Sequence, residues 1–340
     1  MVETSKKYAF LFPGQGAQYQ GMALDFLETG SVAVKTLFDT SSKIIGRDMA
    51  ALLRDSDSGT LMRTDVSQPA ITLANLAAAA FLAEEGVRPA CVAGFSLGEY
   101  AALAVAGVIS LEDCFRLVKA RGIFMQEAAD ALGGGHAPLA PNLRLSATPQ
   151  AGDTPATPPP GMAAVIGLPP DTVEALIAEW TRAGLEDLYA ANINSPRQVV
   201  ISGTACALAE AETRFKEAGA RRVLRLQVAG PFHSPLIADA ALKFKPVLES
   251  TVFKTPAIPL FSNVTGKKVT SGDEAKKLAL EQITSPVRWT DEEQALSESG
   301  GFDAILETGP GNVLQGLWKD SGSTIPALAA GTVESIRIIK

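Results

Sequence analysis

Hydrophobic and polar positions in the first 130 residues follow two different periods. Short apolar runs at 8–12 and 90–94 end at Pro or Gly, and such runs predict buried strands. Longer amphipathic or alanine-rich stretches at 67–85, 97–106 and 111–129 predict helices. Strands that alternate with helices are typical of a parallel sheet covered by helices. The pattern therefore predicts an α/β fold for this part of the chain.

A second pattern follows between residues 161 and 228. Strands are expected at 162–166, 188–192, 198–202 and 223–228, and helices at 171–183 and 206–218. The order βαββαβ is that of a ferredoxin-like α+β unit. Helix and strand then resume, with further strands expected at 260–262 and 304–307. We therefore expect the ferredoxin-like subdomain, 161–228, to be inserted in a discontinuous α/β domain made of 1–132 and 229–340.

The segment 133–160 differs in composition from both parts. It begins Gly-Gly-Gly, ends Pro-Pro-Pro, and contains mostly Ala, Thr, Pro and Leu between them. Such low-complexity composition predicts a flexible surface insertion without packed structure. The alternative is an ordered lid, because long loops are often functional.

Composition and charge narrow the function classes. Of the 340 residues, 46% are hydrophobic and 20% are charged, which is the balance of a globular protein with a buried core. The formal net charge of −7 argues against a nucleic-acid-binding protein, which needs a broad basic surface.

The cysteines and the apolar runs indicate in which cellular compartment the protein is found. Cys91, Cys114 and Cys206 are odd in number and far apart, so they fit neither a disulfide framework nor a metal site. The apolar stretch at 8–12 is too short for a signal peptide core, and the longest apolar runs are shorter than a membrane span. We expect a soluble cytoplasmic protein that binds no membrane.

One pentapeptide has the form of a nucleophile elbow. Gly94-Phe95-Ser96-Leu97-Gly98 lies between a predicted strand and a predicted helix, which is the setting in which G-x-S-x-G exposes a reactive serine. The glycines allow a sharp turn, and the helix N-terminus favours developing negative charge. The alternative is an ordinary glycine-rich turn.

A serine nucleophile usually needs a base, and the chain has two histidines. His136 lies in the Gly/Pro-rich insertion, where nothing would hold it in place. His233 lies in a constrained turn, Gly230-Pro-Phe-His-Ser-Pro, after a predicted strand. If Ser96 is catalytic, His233 remains as the base, acting through Nε2. No acidic residue is placed convincingly as the third member of a catalytic triad.

Two further features each allow a structural and a functional interpretation. Pro13-Gly-Gln-Gly16 after the first strand is either a turn or a loop whose Gln15 N–H joins that of Leu97 in an oxyanion hole. Arg121 lies on a helix that looks half-buried. It either extends its stem along the surface or meets a buried anion of protein or substrate, since its charge cannot be neutralised.

Several segments, in this order, resemble the malonyl-CoA:acyl carrier protein transacylase family, and together they cover nearly the whole chain. They are Phe12-Pro-Gly-Gln-Gly-Ala-Gln, Gly94-Phe-Ser-Leu-Gly-Glu-Tyr-Ala-Ala-Leu, Arg121-Gly with Met125-Gln, Asn192-Ile-Asn-Ser-Pro-Arg-Gln-Val-Val-Ile-Ser-Gly, Gly230-Pro-Phe-His-Ser, Gln282 before Pro286-Val-Arg-Trp, and Glu307-Thr-Gly-Pro-Gly. Each segment alone is weak evidence, but the whole set in this order is highly specific for the family.

The resemblance implies a hydrolase-like three-layer α/β domain with an inserted ferredoxin-like subdomain. It implies that Ser96 is the nucleophile and His233 the base, oriented by a backbone carbonyl near Gln282, which would explain the missing acid. It implies that Arg121 binds the free carboxylate of malonate as a bidentate pair.

The same resemblance implies that Gln15 and Leu97 form the oxyanion hole. The substrates would be malonyl-CoA and the phosphopantetheine thiol of acyl carrier protein, in fatty-acid or polyketide synthesis, with neither metal nor bound cofactor. Phe232 before the histidine resembles the malonyl-selective form, in which bulk disfavours an α-methyl group.

This sequence departs from the family pattern at two places. Many members have His beside the nucleophile where this chain has Phe95, so any polar contact from that side chain is lost. The 133–160 insertion is longer than the expected link. A serine hydrolase and a non-catalytic scaffold remain as alternatives. Arg121 and the family resemblance argue against a hydrolase, and the intact Ser96, His233 and Arg121 argue against a scaffold.

Two expectations concern partners. Nothing in the sequence suggests an obligate interface, so we expect a monomer. A basic cluster could dock an acidic carrier protein, although the end of a solvated helix would have the same composition. The cluster consists of Arg214, Lys216, Arg221, Arg222 and Arg225.

Overall fold

A computed structural model describes residues 6–134 and 159–339. The predicted insertion falls largely outside these residues, and so does His136. The strands are β1 (Tyr8–Phe12), β2 (Pro89–Gly94), β3 (Gly161–Ile166), β4 (Leu188–Ser195), β5 (Gln198–Gly203), β6 (Arg222–Arg225), β7 (Ala304–Glu307) and β8 (Ala327–Ala329).

The helices before the small sheet are α1 (Leu24–Glu28), α2 (Val32–Ile45), α3 (Met49–Asp55), α4 (Ser58–Met62), α5 (Thr64–Glu84), α6 (Gly98–Val105) and α7 (Leu111–Ala129). Those after α7 are α8 (Pro170–Arg182), α9 (Ala205–Glu217), α10 (Ala238–Glu249), α11 (Gly272–Glu281), α12 (Trp289–Ser299), α13 (Val313–Asp320) and α14 (Val333–Ile339). A π-helical turn occupies Asp130–Gly134, and a 3₁₀ turn occupies Pro235–Ile237.

The larger sheet is parallel, with strand order β2-β1-β7-β8. Its edge strand β8 was not predicted, because three residues are too few to show an alternating pattern. The prediction of a strand at 260–262 is wrong. There, Leu260 and Phe261 form only isolated bridges, to Val92 and to Lys268.

Helices cover both faces of this sheet, as the alternation along β1 requires. Phe10 and Phe12 pack in a core with residues of α2, α5, α6, α7 and α10. Ala9 and Leu11 point to the opposite face and pack with residues of α12 and α13. The predicted three-layer α/β arrangement is therefore confirmed.

Helix α5 is the central helix of the first layer. It begins at Thr64, three residues before its predicted start, and runs for 21 residues. By length and composition it could cross a bilayer, but 89% of its most apolar window is buried inside the protein. Burial of this kind is what the core helix of a layered α/β fold requires.

The smaller sheet is antiparallel, with strand order β4-β5-β3-β6. Helices α8 and α9 pack on one face through a separate core that includes Trp180 and Phe215. This is the predicted ferredoxin-like arrangement, although β6 ends at Arg225, three residues before the predicted end. The segment before α12 joins this sheet, because Val287 exchanges two 2.8 Å backbone hydrogen bonds with Ala191 and Ile193 of β4.

Candidate active site

Ser96 lies in a sharp turn between the carboxyl end of β2 and the start of α6. Its φ is +51°, in the left-handed region that non-glycine residues seldom adopt. The turn is tight enough that a Cβ on Gly98 would lie 2.0 Å from the carbonyl oxygen of Phe12. The predicted strand–turn–helix setting of the serine is therefore present, and glycine is required for it.

Ser96 and His233 are in hydrogen-bond contact. The Oγ of Ser96 lies 2.8 Å from Nε2 of His233, and Nδ1 of His233 lies 2.9 Å from the main-chain oxygen of Gln282. A carbonyl oxygen only accepts, so Nδ1 carries the proton and Nε2 is free to accept from the serine hydroxyl. This is the tautomer that a general base needs.

The loop that holds His233 is also constrained. His233 has φ +56°, and the flanking Ser234 donates through Oγ to the carbonyl of Pro231 at 2.6 Å. Ser202, on β5 of the small sheet, donates to the carbonyl of Phe232 at 2.5 Å. The small sheet therefore contributes to the position of the imidazole.

His233 remains uncharged over a wide pH range. Burial and the neighbouring Arg121 cation together lower its pKa to about 4, and the bond to Gln282 opposes the shift. A neutral imidazole can accept a proton from serine at neutral pH.

The side chain of Arg121, on α7, reaches Ser96 as well. It is 1% exposed, and its Nη2 lies 3.2 Å from Oε1 of Gln282 and 3.4 Å from Oγ of Ser96. Its guanidinium also lies 5.5 Å from the ring centre of Tyr100. Its Nε has no hydrogen-bond partner among the described residues. A buried guanidinium with an unused donor can bind an anion.

Gln282 and Asn263 connect the parts of the site. Gln282 donates through Nε2 to the carbonyl of Ser96 at 3.0 Å and to Oε2 of Glu99 at 2.7 Å. Asn263 accepts the N–H of Ser96 at 2.6 Å and donates to Oε2 of Glu292 at 2.7 Å. Both main-chain polar groups of the strained serine are thereby bonded.

Asn263, Glu99 and Glu292 also belong to this network, although no sequence motif indicates a role for them. Glu99 belongs to the segment that carries the resemblance, but its role depends on Asn263, 164 residues away in the chain. Burial raises the pKa of Glu99 to about 7, and hydrogen bonds from Asn263 and Gln282 oppose that shift.

The N–H groups predicted for an oxyanion hole have no hydrogen-bond acceptor among the described residues. Neither Gln15 nor Leu97 donates its main-chain N–H to any residue within 6–134 or 159–339. Leu97 immediately precedes α6, so its N–H lies at the positive end of that helix.

A cavity of about 250 Å³ opens onto Ser96 between the two sheets. Its walls include Gln15, Arg121, Phe232 and His233, so the predicted site residues line a single space. Asn192 and Asn194, two residues apart on β4, also line it, and Oδ1 of Asn194 is buried without a described partner. Strand periodicity explains why both face the cavity.

Phe95 also lines the cavity, where many members of the resembled family have His. Its ring meets that of Trp289 edge to face, with centroids 5.3 Å apart. An apolar packing contact thus replaces any polar one. No cluster of three or more potential metal ligands occurs in the described parts of the chain.

Comparisons with known proteins identify the family of this chain. The model of the acyl transferase domain family matches residues 9–185 and 143–335. The malonyl CoA-acyl carrier protein transacylase of Bacillus subtilis (strain 168) is 35% identical over 332 residues, covering 98% of this chain and 96% of that protein.

Two solved structures are similar over almost the whole chain. An acyl carrier protein S-malonyltransferase from Vibrio cholerae has a TM-score of 0.84 and 35% identity, covering 98% of this chain and 100% of that one. A malonyl-transacylase in complex with its type II PKS acyl-carrier protein has a TM-score of 0.83 and 35% identity, covering 97% and 98% of the two chains.

Proposed function

Since the chain belongs to the malonyl CoA-acyl carrier protein transacylase family of acyl transferases, we propose that it moves the malonyl group by way of an ester on Ser96. The overall reaction transfers malonyl from CoA to the phosphopantetheine thiol of acyl carrier protein. The observation that carries the mechanism is the contact of Ser96 Oγ with both Nε2 of His233 and the guanidinium of Arg121.

In the first half-reaction, Nε2 of His233 takes the proton of the Ser96 hydroxyl while Oγ attacks the thioester carbonyl. The tetrahedral oxyanion is bound by the N–H groups of Gln15 and Leu97, which have no described intramolecular acceptor. The carbon–sulfur bond then breaks, and CoA leaves with the proton from His233. The product is a malonyl ester of Ser96.

The second half-reaction reverses these steps with a different thiol. His233 takes the proton of the phosphopantetheine thiol, and the thiolate attacks the ester carbonyl. When the intermediate collapses, Ser96 leaves as the alkoxide and recovers its proton from His233. The carbonyl of Gln282 holds the Nδ1 proton of the imidazole throughout.

Arg121 provides the cation for the free carboxylate of malonate. Its buried Nε has no described partner, and its Nη2 would complete a two-point contact by exchanging the bond to Gln282 for one to the carboxylate. Binding of a carboxylate here places the thioester carbon near Ser96, because Nη2 lies 3.4 Å from Oγ. Acetyl groups, which have no free carboxylate, would leave this charge unpaired.

Exclusion of water protects the ester between the half-reactions. The cavity is small, and Phe232, which we assign to selectivity against α-methyl groups, is 5% exposed on its wall. The mechanism uses protein groups alone, and the absence of a metal or redox cofactor stays a prediction. We further propose that the enzyme acts as a monomer in the cytoplasm.

Mass spectrometry of the intact protein tests the intermediate. Incubation with malonyl-CoA should add one malonyl group, which peptide mapping should assign to Ser96, and later addition of carrier protein should remove it. Ser96→Ala should fold and gain no adduct. An adduct on another residue of that variant would exclude Ser96, and release of free malonate in place of the carrier ester would indicate a hydrolase.

A further inference from the structure

Two buried carboxyl groups flank the pair of amides behind Ser96. Within this chain of contacts the order is Glu99, Gln282, Asn263, Glu292, with hydrogen bonds of 2.7, 3.1 and 2.7 Å. Both carboxyl groups are almost fully buried, at 3% and 0% exposure. Glu292 contacts neither Ser96 nor the cavity, and the mechanism above gives it no role.

Asn263 is the member that contacts the nucleophile. Its Oδ1 accepts from the N–H of Ser96 at 2.6 Å and from Nε2 of Gln282 at 3.1 Å. Its Nδ2 donates to the carbonyl of Gly94 at 2.7 Å and to Oε2 of Glu292 at 2.7 Å. All four hydrogen-bonding positions of the amide are used.

The orientation of this amide decides whether it supports the serine. If Asn263 turned over, its NH₂ would face the N–H of Ser96, two donors would meet, and the strained turn would lose a bond. An acceptor beside Nδ2 opposes such a turn. The carbonyl of Gly94 belongs to the turn itself, so Glu292 is the independent acceptor on that side.

We propose that Glu292 is a positioning residue for the acyl transfer: its carboxyl oxygen fixes the orientation of the Asn263 amide, which in turn holds Ser96 in its left-handed conformation. This inference rests on the proposed role of Ser96 as nucleophile. In this role Glu292 accepts a hydrogen bond from Asn263 and transfers no proton.

The protonation of Glu292 agrees with that task. Burial and the nearby carboxyl groups of Glu99 and Glu293 raise its pKa well above the ordinary value, and the bond from Asn263 opposes the shift. A neutral carboxyl group keeps a carbonyl oxygen that accepts, so the contact does not depend on a negative charge.

Three variants distinguish the loss of a hydrogen-bond acceptor at position 292 from the loss of its charge and from a change in side-chain volume. Glu292→Met removes the acceptor at similar volume, whereas Glu292→Gln keeps an acceptor without an ionisable group. Glu293→Met is the matched control. Glu293 is adjacent, 1% exposed and bonded to Nε1 of Trp289 at 2.7 Å, outside the network.

Rapid-quench mass spectrometry gives the rate of malonyl loading on Ser96. In Glu292→Met we expect the maximal loading rate to fall about 10- to 100-fold while the malonyl-CoA concentration for half-maximal loading stays unchanged. Glu292→Gln and Glu293→Met should load at close to the wild-type rate, although Glu293→Met also loses stability. Equal rates in Glu292→Met and Glu293→Met would overturn the proposal.

Loading of Ser96 in the wild-type protein distinguishes failure of the proposed mechanism from failure of the role of Glu292. If the wild-type protein gains no malonyl group on Ser96, the proposed mechanism fails and this inference fails with it. If Ser96 is loaded and Glu292→Met loads as fast as the wild type, only the inference fails.

A measurement on the wild-type protein covers the case in which Glu292→Met does not fold. Both Nδ2 protons of Asn263 are bonded, so NMR of the side-chain amide should show slow solvent exchange for both. Rapid exchange of either proton would overturn the assigned orientation.

Discussion

The main-chain oxygen of Gln282 lies 2.9 Å from Nδ1 of His233, where the acid of a Ser-His-Asp triad would be. A carbonyl fixes the tautomer as a carboxylate does, but it brings no negative charge to stabilise an imidazolium. The pKa of His233 is therefore set by burial and by Arg121, which both lower it.

The first prediction concerns the acid limb of the pH profile. With the pKa of His233 at about 4, the base is unprotonated well below the ordinary histidine range. The kcat/KM for malonyl-CoA should therefore fall only as pH approaches 4, measured by initial rates in buffers of constant ionic strength. Glu99→Gln removes the other group of the network that titrates near neutral pH, so an inflection near 6.5 that persists in that variant would contradict the buried, cation-flanked environment of His233.

The second prediction concerns the malonyl carboxylate. Arg121→Ala should lose malonyl transfer steeply while acetyl transfer holds or rises, changing the ratio of the two kcat/KM values by about 10²–10⁴. Arg121→Lys should recover only part of the loss, because an ammonium group cannot form the planar two-point contact. An unchanged ratio in Arg121→Ala would make Arg121 a structural residue.

The third prediction concerns the turn at Ser96. A Cβ on Gly98 would lie 2.0 Å from a main-chain oxygen, so Gly98→Ala should destabilise the fold by more than about 4 kcal/mol in urea unfolding. Gly316→Ala is the control. Gly316 is exposed in α13 with nothing within 4 Å of an added Cβ, so alanine there should stabilise by about 0.5–1 kcal/mol. Similar effects at both positions would contradict the close approach.

The fourth prediction concerns Glu99 and pH. Its pKa is about 7 in the folded protein against 4.5 for a free side chain. Between these values the unfolded chain releases the proton and the folded chain keeps it, so this group lowers stability by about 3 kcal/mol as pH rises from 4.5 to 7. Glu99→Gln should lack that decline, compared with wild type by urea unfolding at pH 5 and pH 8. Parallel curves would exclude a raised pKa.

The fifth prediction concerns the carrier protein. In the basic cluster, Arg214 and Lys216 form ion pairs with Glu210 and Glu212 on their own helix. Arg221 and Arg222 are exposed and form no ion pair with a described residue. Arg225 is also exposed and forms no ion pair with a described residue, so these three arginines are the members of the cluster that can meet an acidic partner.

Arg221→Glu with Arg222→Glu should raise the KM for carrier protein about 5- to 50-fold and leave loading from malonyl-CoA unchanged. Lys267→Glu with Lys268→Glu changes the charge equally at another exposed adjacent pair. The same rise in KM with the lysine pair would indicate a general charge effect and exclude a specific patch.

Local pattern was sufficient to predict most elements of the fold. Apolar runs that end at glycine or proline identified β1 and β2, and the βαββαβ order identified the small sheet. The pattern failed where pairing depends on distant partners. Leu260 and Phe261 are apolar, yet only isolated bridges form there, and β8 is recognisable only beside β7.

The site was predictable to the extent that its residues belong to motifs. The contact of Ser96 with His233, and the position of Arg121 beside them, match the roles suggested by the motifs. Glu292 lies in no motif and reaches Ser96 only through Asn263, 167 residues along the chain from the serine. Spacing in sequence contains no signal for such a contact.

The pairing of Val287 with β4 limits how this enzyme can be recombined with its relatives. Val287 lies five residues after Gln282 and bonds to the strand that carries Asn192 and Asn194. A chimera that takes the small sheet from a relative would place foreign backbone against this segment. To keep the imidazole oriented, such a graft has to include both 161–228 and 282–289.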